Sequence, residues 1–176
     1  MPCSTRGNDM MRRIFAFLAV FAALTGAGIP QARAAGQACY RADEAQAEQG
    51  VRIKSELMVI GFNCAGMSSH YGSQNLAADY SRWVALHSKV FSDYENKLLA
   101  YYKRQGEKNP EASLLTLGTT LANNVASDAA HMRPDLFCAK YAPRINKVST
   151  MDDATIRRWS ATFFPGHPPS RPVCEQ

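Results

Sequence analysis

QNLAADYSRWVALHSKVFSDYENKLLAYYKRQ, residues Gln74 to Gln105, contains no glycine and no proline. Leu76, Tyr80, Trp83, Val84, Val90, Phe91, Tyr94, Leu98 and Tyr101 recur mostly at steps of three and four. That is the stripe of an amphipathic helix turned toward a core. Gly72-Ser73 before it and Gly106 after it are suitable ends. At about 1.5 Å per residue a single helix here would run on the order of 45 Å, so a bend or an overhang is expected.

The flanking periodicities are helical too. Asp43 to Asn63 places Ile53, Leu57 and Ile60 on one stripe leading to Cys64, with Val51, Met58 and Phe62 beside it. Asp43 and Glu44 suit its positive end, and Gly50 marks a kink, a close contact or a later start. A third helix opens with Asn109 as cap and Pro110 in the first position. It carries Leu114, Leu117, Leu121, Val125 and Met132 and stops at Pro134, with Gly118 inside as a point of close helix approach. Asp135 to Tyr141 adds a turn or two. Asp152 to Phe163, capped by Thr150 or Asp152, presents Ile156, Trp159 and Phe163. Pro165, Pro168, Pro169 and Pro172 forbid regular structure beyond it. The expected fold is all-α: an up-down bundle of about four helices with a proline-rich C-terminal strap.

Residues 1–34 read as a secretory signal peptide that is removed, leaving 35–176 as a single helical domain. Arg12-Arg13 is the basic start, Ile14 to Leu24 the apolar run and Ala32-Arg33-Ala34 the small-residue cleavage site. Either Met10 or Met11 also suits as a start. The apolar run is too short to span a bilayer, so the processed chain is expected not to cross a membrane. It keeps Cys39, Cys64, Cys138 and Cys174, an even number, which in an exported chain reads as two disulfides. Spacing leaves three pairings open. An antiparallel bundle returns Cys138 to the end where Cys64 lies and Cys174 to the end where Cys39 lies. The expected bridges are therefore Cys64–Cys138 and Cys39–Cys174.

Composition narrows the function classes. Removing Arg6, Arg12, Arg13 and Arg33 from 20 basic residues and Asp9 from 15 acidic ones leaves 16 against 14, a net charge of +2. Basic residues beyond the signal come in pairs such as Lys103-Arg104, without the concentrated positive face that nucleic acid requires. No Cys-x-x-Cys, Gly-x-Ser-x-Gly, His-Glu-x-x-His or phosphate-binding glycine loop is present, and no cofactor is implied.

Candidate polar groups remain. His87 lies between Trp83 and Phe91 at helical spacing, as a core histidine or a general base in a cleft. Asn124, Asp128 and His131 share one helix face, either solvated or lining a polar cleft. Met67 and His70 form a thin metal-binding pattern in the loop after the first helix. Glu56 and Asp79 sit beside Arg52 and Arg82 at spacings that suit surface pairing. Phe91, Tyr94, Tyr101 and Tyr102 pack into the core, or form an exposed aromatic interaction patch if the long helix overhangs.

Ser55-Glu56-Leu57-Met58-Val59-Ile60 leading to Cys64, with Phe137-Cys138 downstream, resembles a recurring pattern of small exported alphaproteobacterial proteins. The resemblance implies an exported, helical, disulfide-bonded chain and carries neither an activity nor a site residue. The expected function is a non-enzymatic interaction or binding module of the cell envelope, periplasmic or secreted, with a protein or peptide partner. The alternatives are a small envelope hydrolase using His87 or the Asp128/His131 pair, or a metal-handling protein.

Overall fold

The structure is a computed structural model that describes residues 38–73 and 75–175. The signal-peptide reading of residues 1–34 lies outside the described residues. Among the described residues seven α-helices follow one another: α1 (Ala42–Asn63), α2 (Leu76–Leu86), α3 (Ser88–Arg104), α4 (Pro110–His131), α5 (Pro134–Tyr141), α6 (Pro143–Val148) and α7 (Asp153–Ser160), with a 3-10 helix (Ala65–Tyr71) between α1 and α2. Among the described residues the sheet-type pairing is one isolated parallel bridge, Tyr40 with Val173. No described helix is long and apolar enough to cross a membrane.

Local chemistry sets most boundaries. The side chains of Asn75, Asn109 and Asp152 accept from the backbone N–H groups of Ala78, Ala112 and Thr155 at 3.0, 3.0 and 2.8 Å. Each satisfies a donor that the first helical turn leaves unpaired. Pro110, Pro134 and Pro143 open α4, α5 and α6, where a missing N–H costs nothing. After α3, Gly106 adopts φ 79°. Its N–H donates to Lys103 O, and Glu107 N–H to Tyr102 O, both at 3.1 Å. This paired closure needs the left-handed backbone that glycine adopts without penalty.

The expected four-helix bundle becomes a hub. α1 packs against each of the six other α-helices. Its buried residues cover every face, from Ala45, Ala47 and Val51 to Leu57 and Ile60. At Gly50 a Cβ would stand 2.2 Å from Tyr94 Cδ2 and Cε2, so α3 approaches the α1 backbone there. That selects the close-contact reading of Gly50. Gly118 differs: a Cβ there meets nothing within 4 Å, so the expected close approach does not occur.

The long second helix is two helices. His87, at φ −101° and ψ 21°, separates α2 from α3. A straight helix of that length would carry its far end off the domain. The turn instead lets both halves keep their stripes on α1. Tyr94, Tyr101, Phe91 and Tyr102 are 0, 2, 3 and 9 % exposed. The exposed-patch alternative is therefore corrected: all four aromatics are core, with Tyr101 edge-on to Tyr40 and Phe91 edge-on to Trp83. The last helix ends at Ser160, three residues before its expected end at Phe163.

The sulfurs pair as Cys39–Cys174 and Cys64–Cys138, with Cα separations of 5.1 and 5.6 Å. Tyr40 N–H donates to Pro172 O and Cys174 N–H to Tyr40 O, both at 2.8 Å, alongside the first bridge.

Candidate functional site

One side of α1 is polar from Glu44 to Glu56. Glu44, Glu48, Arg52 and Glu56 recur every four residues and so share a face. Residues 164–172, on the C-terminal side of α7, lie against it. Gln49 Nε2 donates to His167 O at 2.7 Å and Arg52 Nη2 to Pro168 O at 3.0 Å. Ser170 donates to Glu48 twice, from its N–H at 2.8 Å and from its hydroxyl. A proline-rich chain has few donors of its own. Its free carbonyls are met here by donors from α1.

The first two carboxylates are saturated. Glu44 is fully buried and takes a bidentate pair from Arg104, Nη1 at 2.7 Å and Nη2 at 2.8 Å, and the Arg41 N–H at 2.9 Å. Burial alone would raise its carboxyl, but these donors and the two guanidinium charges hold it below the usual carboxylate range. Glu48 is also fully buried and accepts from Arg52 Nη2 at 3.1 Å. Burial, and then the negative charge of Glu48, push the Tyr40 phenol above its ordinary range.

Glu56 differs. It does not pair with Arg52, as its spacing suggests, because Arg52 is turned to Glu48 and Pro168. Its nearest basic side chains are Arg144, Nη1 at 3.6 Å, and His167, Nδ1 at 3.9 Å. Burial pushes its carboxyl up, and His167, Arg144 and Arg52 only partly oppose this. Arg52 itself is 7 % exposed, and its Nε has no partner.

Glu56 and Arg52 stand at the junction of two compartments that share them with Arg144 and His167. One, of about 480 Å³, is walled by Ile53, Val148, Met151, Trp159 and Phe164, with Lys147 beside Arg144. The other, of about 520 Å³, is lined by Thr120, Asn124, Asp128 and Tyr141 and by residues 166–170. Together they form a cleft between α1, α4, α6, α7 and the C-terminal segment.

The sequence candidates divide. Asn124 and Asp128 line the polar compartment, where Asp128 accepts from Tyr141 Oη at 2.7 Å. His131 does not join them: it is exposed, and its Nδ1 lies 2.7 Å from Ser127 O of its own helix. His87 is also elsewhere, 4 % exposed, with Nδ1 2.5 Å from Asp153 Oδ1 and Nε2 unpartnered. As a cleft base it is corrected to a core residue at the α2–α3 turn. Asp79 pairs with Arg82 at 3.1 Å, as its spacing suggests. His70 is exposed and Met67 half-buried. Among the described residues no group of three or more His, Cys, Asp and Glu side chains is placed to hold a metal ion.

Arg144, Lys147, Trp159, Phe164 and His167 were not legible as site residues. They come from two short helices and an irregular segment, and chain topology alone brings them to Glu56. No family model matches this chain, and neither a curated protein nor a solved structure matches it.

Proposed function

We propose that this chain is an exported binding module whose cleft takes a segment of an envelope protein or peptide. One observation carries the reading: an apolar compartment adjoins a more polar one, and the two share Arg52, Glu56, Arg144 and His167. An apolar side chain suits the wall of Trp159, Met151 and Phe164, while backbone amides suit Thr120 and Asn124. Export is supported by the two disulfides, which persist in oxidising compartments. In this reading the proline-rich segment is a strap that forms one lip of the cleft, on a bundle whose main helices alternate in direction.

The chain has two tryptophans, and Trp83 is core while Trp159 is half-buried in the cleft. Trp83→Phe therefore leaves Trp159 as a reporter of occupancy. Titration with N-acetyl-Ala-Phe, as acid or as amide, is expected to give a saturable change in emission, and N-acetyl-Ala-Gly to give none. An unchanged emission with both forms of the Phe peptide would sink the reading.

A further inference from the structure

The junction between the compartments has a charge pattern of its own. Arg52 is neutralised by Glu48. On the side of the apolar compartment Arg144 and Lys147 then face a single carboxylate, Glu56, while Asp128, across the polar compartment, is engaged by the Tyr141 hydroxyl. Glu56 meets Arg144 and His167 only at 3.6 and 3.9 Å, beyond good hydrogen-bond length. The Arg144 guanidinium, 43 % exposed, therefore keeps donors free for a second carboxylate.

We infer that Arg144, at the junction of the two compartments, forms a carboxylate subsite: it takes the C-terminal carboxylate of a peptide whose last side chain fills the Trp159–Phe164 compartment, and Glu56 competes with that carboxylate for Arg144. The inference rests on the binding reading above and deepens it. The neighbouring compartment offers Thr120, Asn124 and Asp128 to the preceding peptide amides, beside the apolar Leu117, Leu121 and Val125.

Competition makes the subsite pH-dependent. The groups around Glu56 are Arg52 on α1, Arg144 and Lys147 on α6, His167 on the C-terminal segment, and Asp128 and Tyr141 across the polar compartment. Glu56 takes up a proton more readily than an ordinary carboxyl and then no longer competes. A peptide carboxylate, with its ordinary lower range, is still ionised there. Binding of the acid tightens as pH falls toward the range of Glu56.

The test uses the Trp83→Phe protein and compares N-acetyl-Ala-Phe with its amide. The acid is expected to bind at least about tenfold more tightly, as a charge-assisted contact allows. Arg144→Gln should erase that preference, with Lys147→Gln as a second, milder variant and circular dichroism to verify folding. Glu56→Gln should tighten the acid several-fold at neutral pH and flatten its pH dependence. Equal affinity for acid and amide overturns the subsite while the binding reading stands; no binding of either overturns both. A preference that survives Arg144→Gln, an acid that weakens in Glu56→Gln, or decanoate binding as tightly as the peptide acid each overturns the proposal.

Discussion

Glu44 and Glu56 occupy the same face of the same helix, about three turns apart, and their surroundings act on them in opposite directions. At Glu44 every carboxylate oxygen is matched by arginine or backbone donors, and the charge is favoured despite full burial. At Glu56 burial is the larger influence, the cations stand off, and the charge is disfavoured. A buried charge stabilises a fold only when its partners close around it. The first end of the ladder is built that way. The second end is left incomplete, and it is the end that opens into the cleft.

Four variants set the two ends against each other. The largest effect is expected from Glu48→Ala, which leaves Arg52 buried without its counter-charge. A loss of about 3–5 kcal/mol in urea unfolding is typical of such a broken pair. Replacing Cys39 and Cys174 together by serine frees the C-terminal segment from the start of α1. This should cost about 2–4 kcal/mol and weaken peptide capture more than removal of the Cys64–Cys138 bridge does. Glu44→Gln removes charge-assisted hydrogen bonds and should cost about 1.5–3 kcal/mol at neutral pH. Glu56→Gln is the smallest, expected within about 0.5 kcal/mol of the unsubstituted protein and on the stabilising side at neutral pH.

The pH profiles of the last two variants separate them further. The Glu44 carboxyl is lowered by folding, so its contribution is present above the ordinary carboxylate range and is lost as pH falls toward its folded value. The Glu56 carboxyl is raised by folding, so the folded state binds the extra proton. Stability therefore falls as pH rises from the ordinary carboxylate range through its folded value. Chemical unfolding across mildly acid pH should show each slope removed by its own substitution. Two slopes of the same sign would contradict the contrast.

Much of the architecture was legible because its signals are local. Asn109 and Pro110 announce α4, Pro134 ends it, and Gly106 closes α3 where the sequence places it. The bridges are the pairs expected from an antiparallel layout. The turn at His87 was not legible, since it contains neither glycine nor proline, and the aromatics of α3 could be placed only once that turn was known. The ladder of Glu44, Glu48, Arg52 and Glu56 was visible as spacing, but four-residue recurrence of charge ordinarily marks a solvated helix face. Its burial depends on a segment more than a hundred residues later, as in the Glu48–Ser170 bond with its sequence separation of 122. Asn124 and Asp128 could be named as a pair on one face. The groups opposite them could not, because α6 and the C-terminal segment have no periodicity that points to a partner.

The Cys39–Cys174 bond closes a covalent ring over a sequence separation of 135 residues. Tension applied from outside the ring, at positions before Cys39 and after Cys174, passes through the bridge and bypasses the helices. Every helix of the domain is sheltered from stretching until that bond is reduced.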